Sequence, residues 1–229
     1  MYQGPPQTPA STPPLQEIHE RQYSHHLLEI GCGTINIEAT PWLRAGNIEK
    51  YNNADITLID RTDPERMGRA LESSREHFGS SFSGSIQYKK MEATALKFEN
   101  ESMDEILIVN VLGAARNIPV NEIVTESARV LKKDGELIII ETYTPHDAIF
   151  NTLGHGTMTS INPGELPPLL EEFAKKFAHL GLEIKAIEVP FSMSREYSGH
   201  SYIDKFAEIV NETSFALILK KIAPRLSSN

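Results

Sequence analysis

The sequence predicts a doubly wound α/β fold, a mostly parallel seven-stranded sheet with helices on both faces. Three observations carry this expectation. Short, continuously apolar runs recur along the chain, as strands buried on both faces require. Amphipathic stretches with apolar residues at helical spacing separate them. Glycine and proline punctuate the junctions.

In chain order, residues 1–14 ("MYQGPPQTPASTPP") are proline-rich without apolar periodicity, cannot offset the entropy of ordering, and are expected to form a disordered tail. Residues 15–24 suit a short helix, after which "LLEI" makes a buried strand that stops at Gly31. A helical stretch over residues 40–51 precedes a second strand, "DITLID". Met67, Leu71, Ser74 and Phe78 recur at helical spacing over 64–78, and "SIQYK" and "DEILIVN" are strands. Residues 119–133 are amphipathic through Ile123, Val124, Val130 and Leu131, with Pro119 as a start signal and Gly135 as a stop signal. "ELIIIET" is the fifth strand. Leu166, Leu170, Phe173, Phe177 and Leu180 form a helical stripe closed by Gly181, and "LEIKAIEVPF" and "TSFALILKKI" are the last strands, with a helix at 202–210 between them.

With 229 residues and 40% apolar content, residues 15–229 can bury one sizeable core and read as a single domain. The 31 acidic and 22 basic side chains give a net charge of −9, which repels phosphate backbones and anionic lipid unless basic residues cluster, and they do not. Neither nucleic acid nor a membrane is therefore expected as a partner. The apolar runs are far too short for a membrane-spanning helix, and no basic segment followed by an apolar one marks a signal peptide. A lone Cys32 agrees with a reducing compartment, so a cytoplasmic location is expected.

In such sheets the ligand crevice lies beyond the carboxyl ends of the strands, which points to residues 29–33, 60, 92–93, 110–113 and 142–146. Glycines at 31 and 33 can take positive φ and admit a ligand without a Cβ in the way; a tight turn without a ligand would use them equally. The dinucleotide pattern G-x-G-x-x-G would need glycine at Asn36, which weighs against a nicotinamide cofactor. Asp60 ends the second strand, where a carboxylate can accept from both hydroxyls of a ribose or serve as an ordinary turn residue. The eight histidines fall at no ligand spacing, so no metal is expected, and His25 and His26 read as structural. Residues 143–164 are long and poor in regular elements, as substrate lids are. There Tyr143, Phe150, Leu153 and Met158 stand with His146 and His155, a set suited to a small, partly apolar acceptor and an imidazole base, although surface histidines would look the same.

"EIGCG" (29–33), "EATALKF" (92–98) and "VLKKDG" (130–135), with Asp60 between the first two, follow one another in the order and spacing of a known family. Over residues 27–142 the chain resembles a class I S-adenosylmethionine-dependent methyltransferase of the broad group with an "EIGCG" first motif, with weaker architectural agreement as far as Ile222. The resemblance implies a Rossmann-like methyltransferase sheet whose last strand runs antiparallel, and S-adenosyl-L-methionine as cofactor. It further implies that Glu29, Gly31, Cys32 and Gly33 face the methionine moiety. Asp60, with Arg61 beside it, would bind the ribose; Glu92 and Ala93 the adenine; and Asn110 and Val111 would lie beside the methionine amino group and the methyl-transfer region. The family commonly has a third glycine where this chain has Ile35, expected to pack beneath the cofactor.

Methyl transfer from a sulfonium needs an aligned acceptor lone pair and exclusion of water, so a catalytic residue is optional. His146, Tyr143 and His155 are the candidates, His146 foremost, because Pro145 stiffens its approach. After the fourth strand the chain has "NVLG" rather than the "NPPY" type of many nucleic-acid amino methyltransferases. The expected function is methylation of oxygen or nitrogen on a small-molecule acceptor. A protein side-chain methyltransferase, docked by the N-terminal tail as partner-binding segment, and a non-catalytic cofactor-binding module are the alternatives.

Overall fold

Aliphatic residues in unbroken runs can be satisfied only by burial on both sides, and the central strands here achieve it. In the computed structural model, which describes residues 23–32, 51–65, 82–112, 117–142, 148–154, 163–189 and 214–222, seven strands form one sheet. They are β1 (His25–Ile30), β2 (Ala54–Asp60), β3 (Ser85–Lys90), β4 (Met103–Val109), β5 (Leu131–Thr142), β6 (Leu182–Glu188) and β7 (Ser214–Lys221). Their order is β3-β2-β1-β4-β5-β7-β6. Strands β3, β2, β1, β4 and β5 are mutually parallel, whereas β7 pairs antiparallel with both β5 and β6. The last strand thus runs against its neighbours, as expected. Strand order reverses between β1 and β4, which makes their carboxyl ends the two walls of the crevice.

Alternation along the strands sorts the core into two layers. Leu28, Ile30, Ile106, Ile108, Leu137, Ile139, Phe215 and Leu217 join one cluster with Ile123, Val124 and Ala128 of α1 (Val120–Val130), Ile149 of α2 (Ala148–Thr152), and Leu166, Leu170 and Phe173 of α3 (Leu166–Lys176). Leu27, Ile56, Leu58, Leu107, Ile140 and Tyr51 form the other. The described helices α1–α3 cover the first face. The helices expected over 40–51 and 64–78 lie outside the described residues except at Tyr51 and residues 64–65, as do the tail of 1–14 and the helix at 202–210.

Two elements depart from the sequence reading. Helix α1 ends at Val130, and Leu131 turns straight into β5, so Gly135 is no helix stop. The carbonyls that a helix end leaves open are met elsewhere. Lys221 of β7 donates to Ala128 O (2.8 Å) and Leu131 O (2.7 Å), while the amides of Glu101 and Ser102 donate to Arg129 O (3.1 Å) and Val130 O (2.8 Å). Residues 132–135 instead make an excursion within β5, where the register against β4 breaks between Met103 and Glu105. Asp134 takes φ +65°, and a Cβ at Gly135 would come within 2.7 Å of Asp104 O, so glycine is fixed there by close backbone approach. The second departure lies within 143–164. Five of these residues form α2, and Ile149 is buried in the core.

Candidate functional site: the crevice between β1 and β4

Glu29 sits one residue before the end of β1, on the face of Leu27, and is 6% exposed. Among the described residues its Oε2 finds no hydrogen-bond partner, and burial pushes its carboxyl up to about 8. An acid so placed is costly to the apo chain unless a cation or a donor meets it.

The chain leaves β1 through Gly31 at φ +73°, with the amides of Gly31 (2.8 Å) and Cys32 (3.2 Å) both donating to Ile59 O of β2. A Cβ on Gly31 would lie 2.2 Å from Cγ2 of Val111. The close approach that demands glycine here is therefore made by this chain's own turn after β4. That fixes Gly31 against Val111 across the switch point. Cys32 is buried, and its thiol is pushed far up by burial and then by the negative charges of Glu29 and Asp60, so it is an inert wall of the site. Gly33 and Ile35 lie outside the described residues.

Asp60 closes β2. Its Oδ1 accepts from the amide (2.9 Å) and hydroxyl (2.8 Å) of Thr62, which sets the orientation of the carboxylate. Its carbonyl accepts from the Tyr88 hydroxyl (3.1 Å) and the Met91 amide (3.0 Å), linking the ends of β2 and β3. Nothing in the sequence singles out Tyr88; its ring and its bonds to Asp60 and Thr62 brace this rim, and burial pushes its phenol up to about 12. Arg61 is exposed next to Asp60. Glu92 is exposed and opens a turn closed by Ala95 N to Glu92 O (3.2 Å), while Ala93 is half-buried against the core.

Asn110 follows β4 at φ +51°, donating its amide to Ile140 O (2.9 Å). The next two amides, Val111 (2.8 Å) and Leu112 (2.7 Å), both donate to Oε1 of Glu141, a side chain 1% exposed on β5. Glu141 thereby shapes the turn that faces Gly31. Its signal in the sequence is a lone acid inside "LIIIET", which alternation alone cannot distinguish from a rim residue. The structure brings together Glu29, Gly31, Cys32, Asp60 and Val111, with Asn110 beside them. Tyr143, His146 and His155 lie outside the described residues.

At the opposite end of the sheet, His26 donates its amide to Asp104 (2.8 Å), Asp104 pairs with Lys132 (2.8 Å), and the His25 ring lies edge-on to Tyr51. His25 and His26 thus have structural partners far from the crevice. Among the described residues no group of His, Cys, Asp and Glu is arranged to hold a metal, and no helix is long and apolar enough to cross a membrane.

Residues 28–139 match the family model described as a methyltransferase domain. Among solved structures, the chain is similar to an S-adenosylmethionine-dependent methyltransferase of Methanosarcina mazei, at 18% identity over 88% of this chain and 94% of that one, with a TM-score of 0.54. It is also similar to a 16S rRNA (adenine(1408)-N(1))-methyltransferase of Catenulisporales acidiphilia, at 13% identity over 89% and 88% with a TM-score of 0.58. A third is the aminoglycoside resistance methyltransferase NpmB1, at 14% identity over 87% and 88% with a TM-score of 0.55. At such identities these likenesses speak for the fold. No match was found among curated proteins.

The cofactor of this family, S-adenosyl-L-methionine, suits the residues present. Its ammonium and sulfonium are cations, and the crevice offers at Glu29 a buried carboxyl, its Oε2 unmatched among the described residues, which a nearby cation would draw into its charged form, and at Asp60 an oriented carboxylate. With the motif model and the sheet order in agreement, residues 28–139 form an S-adenosylmethionine-dependent methyltransferase domain.

Proposed function

We propose that this methyltransferase acts on an oxygen or nitrogen of a small-molecule acceptor held over the β1–β4 crevice. The observation that carries the site is Glu29, buried at the switch point with an Oε2 that is unmatched among the described residues. In this reading Glu29 and the Gly31–Gly33 backbone meet the methionine moiety, Asp60 with Arg61 beside it takes the ribose, Glu92 and Ala93 the adenine, and Asn110 and Val111 flank the transfer region. When bound, the cofactor supplies an activated methyl group; the protein aligns the acceptor, excludes water and, where the acceptor carries a proton, offers a base. Tyr143, His146 and His155 remain the candidates for that base, with residues 143–164 as the acceptor lid. The net charge of −9 supports a small acceptor over a nucleic acid.

The test is release of S-adenosylhomocysteine from the full chain given S-adenosylmethionine and fractionated cell extract. The reading expects release with the low-molecular-weight fraction. Release only with protein would favour the side-chain methyltransferase docked by residues 1–14, release only with RNA would overturn the acceptor class, and binding without release would make the chain a cofactor-binding module.

A further inference from the structure

Arg129, on the last turn of α1, uses its whole guanidinium inside the protein. Nε and Nη2 donate to the two carboxylate oxygens of Glu126 (2.9 and 2.8 Å), Nη2 also to Leu96 O (2.8 Å), and Nη1 to Phe98 O (2.9 Å) and Asn100 Oδ1 (2.9 Å). These bonds match the five N–H donors that an arginine owns. Glu126 Oε2 accepts in addition from the Leu96 amide at 2.9 Å. Both polar groups of Leu96 are thus held by one ion pair, and its side chain is buried in the core. The segment so held, residues 91–100, follows β3 and carries Glu92 and Ala93.

An ordinary surface ion pair contributes little and touches nothing else. This one is a fork-to-fork pair whose remaining donors reach two backbone carbonyls, 31 and 33 positions away in sequence, and the Asn100 side chain. Met91 N to Asp60 O, at 3.0 Å, ties the front of the same segment to the ribose-side strand. The segment is therefore anchored at its start by β2 and at its far end by α1, with the short turn of Glu92–Ala95 suspended between the anchors.

We propose that the Glu126–Arg129 pair is a positioning device for nucleobase recognition, holding the 91–100 segment so that the Glu92–Ala93 turn meets the cofactor's adenine in a preset geometry. The inference rests on the placement of adenine at residues 92–93. Pre-ordering the turn spares binding the entropy of arranging it, and makes an acceptor for the exocyclic amine selective against a base that lacks one. Lysine at 129 would keep the charge but could neither form the fork nor serve five acceptors.

The experiment is calorimetric titration of the full chain with S-adenosylhomocysteine and with S-inosylhomocysteine, in which a carbonyl replaces the exocyclic amine. The unaltered chain should prefer the adenine form. Arg129→Ala should weaken S-adenosylhomocysteine by about tenfold while changing the inosine form by less than about threefold, so that the preference collapses. Arg129→Lys should behave like Arg129→Ala rather than restore it. Should Arg129→Ala fail to fold, Glu126→Gln, which leaves a single acceptor oxygen to serve the arginine fork and the Leu96 amide, should lower the preference in the same direction. A purely structural pair would lower the melting temperature and leave the ratio of the two affinities alone, and an intact ratio in a folded variant overturns the inference by itself. Absence of an adenine preference in the unaltered chain overturns the placement of adenine, and the inference with it.

Discussion

A buried carboxyl with an unmatched oxygen makes a specific demand on pH. Unfolded, Glu29 titrates near 4.5, and folded near 8. Between those values the folded chain holds a proton that the unfolded chain has released, so stability falls as pH rises through that window and levels off above it. Glu29→Gln removes the titration. In cofactor-free denaturation it should therefore gain on the unaltered chain from pH 5 to pH 8, by an amount on the order of a few kcal/mol. A difference that stays constant over that range would contradict the burial assigned to Glu29. Asp60→Ala removes an oriented charged acceptor, roughly 1.5–3 kcal/mol, and should weaken S-adenosylmethionine about ten- to a hundredfold in calorimetry. Gly31→Ala adds the strain of positive φ to a collision with Val111, and should cost about 2 kcal/mol or more in urea unfolding. Glu29 and Gly31 of "EIGCG" were legible because they stand together at the end of one apolar run, so the signal is local. Tyr88 and Glu141 were not, since their roles rest on carbonyls and amides brought from β2 and from the turn after β4, about 30 positions away.

Among elements, α1 shows how a local reading fails when the answer comes from elsewhere in the chain. Pro119 gave a sound start signal, but the end at Val130 is specified by Lys221, Glu101 and Ser102, none of them neighbours of the helix in sequence. Lys221→Met would leave the carbonyls of Ala128 and Leu131 without their cationic donor. It should destabilise the fold by about 1–3 kcal/mol in denaturant titration, whereas Lys133→Met, at an exposed position, should be close to neutral. Similar changes for both would contradict the cap. The excursion at 132–135 reads as a helix stop in sequence because Asp-Gly marks a turn of any kind, and only the pairing of Glu136 with Glu105 places that turn inside a strand. In α3 the local signal came close: the stripe of Leu166, Leu170 and Phe173 is buried, the helix ends at Lys176 rather than running on to Leu180, and Gly181 at φ +77° closes the 3-10 turn that follows.

For the whole molecule, the strand pattern was enough to predict a doubly wound sheet, since each run of aliphatic residues needs cover on two sides. Strand order was not legible from the residues, because the reversal between β1 and β4 is a matter of which strands meet. That reversal is what sets Glu29 and Gly31 opposite Val111, with Asp60 at the next strand end, and turns scattered strand-end residues into one crevice. The crevice, with the buried carboxyl of Glu29 and the oriented carboxylate of Asp60 at its strand ends, is suited to a cationic cofactor. The most direct measurement is calorimetric titration of S-adenosylmethionine into the full chain, side by side with Glu29→Gln. The account predicts saturable binding at one site per chain, weakened at least about tenfold by the substitution. A folded chain that takes up no cofactor, or one whose affinity is the same with glutamine at position 29, would contradict it.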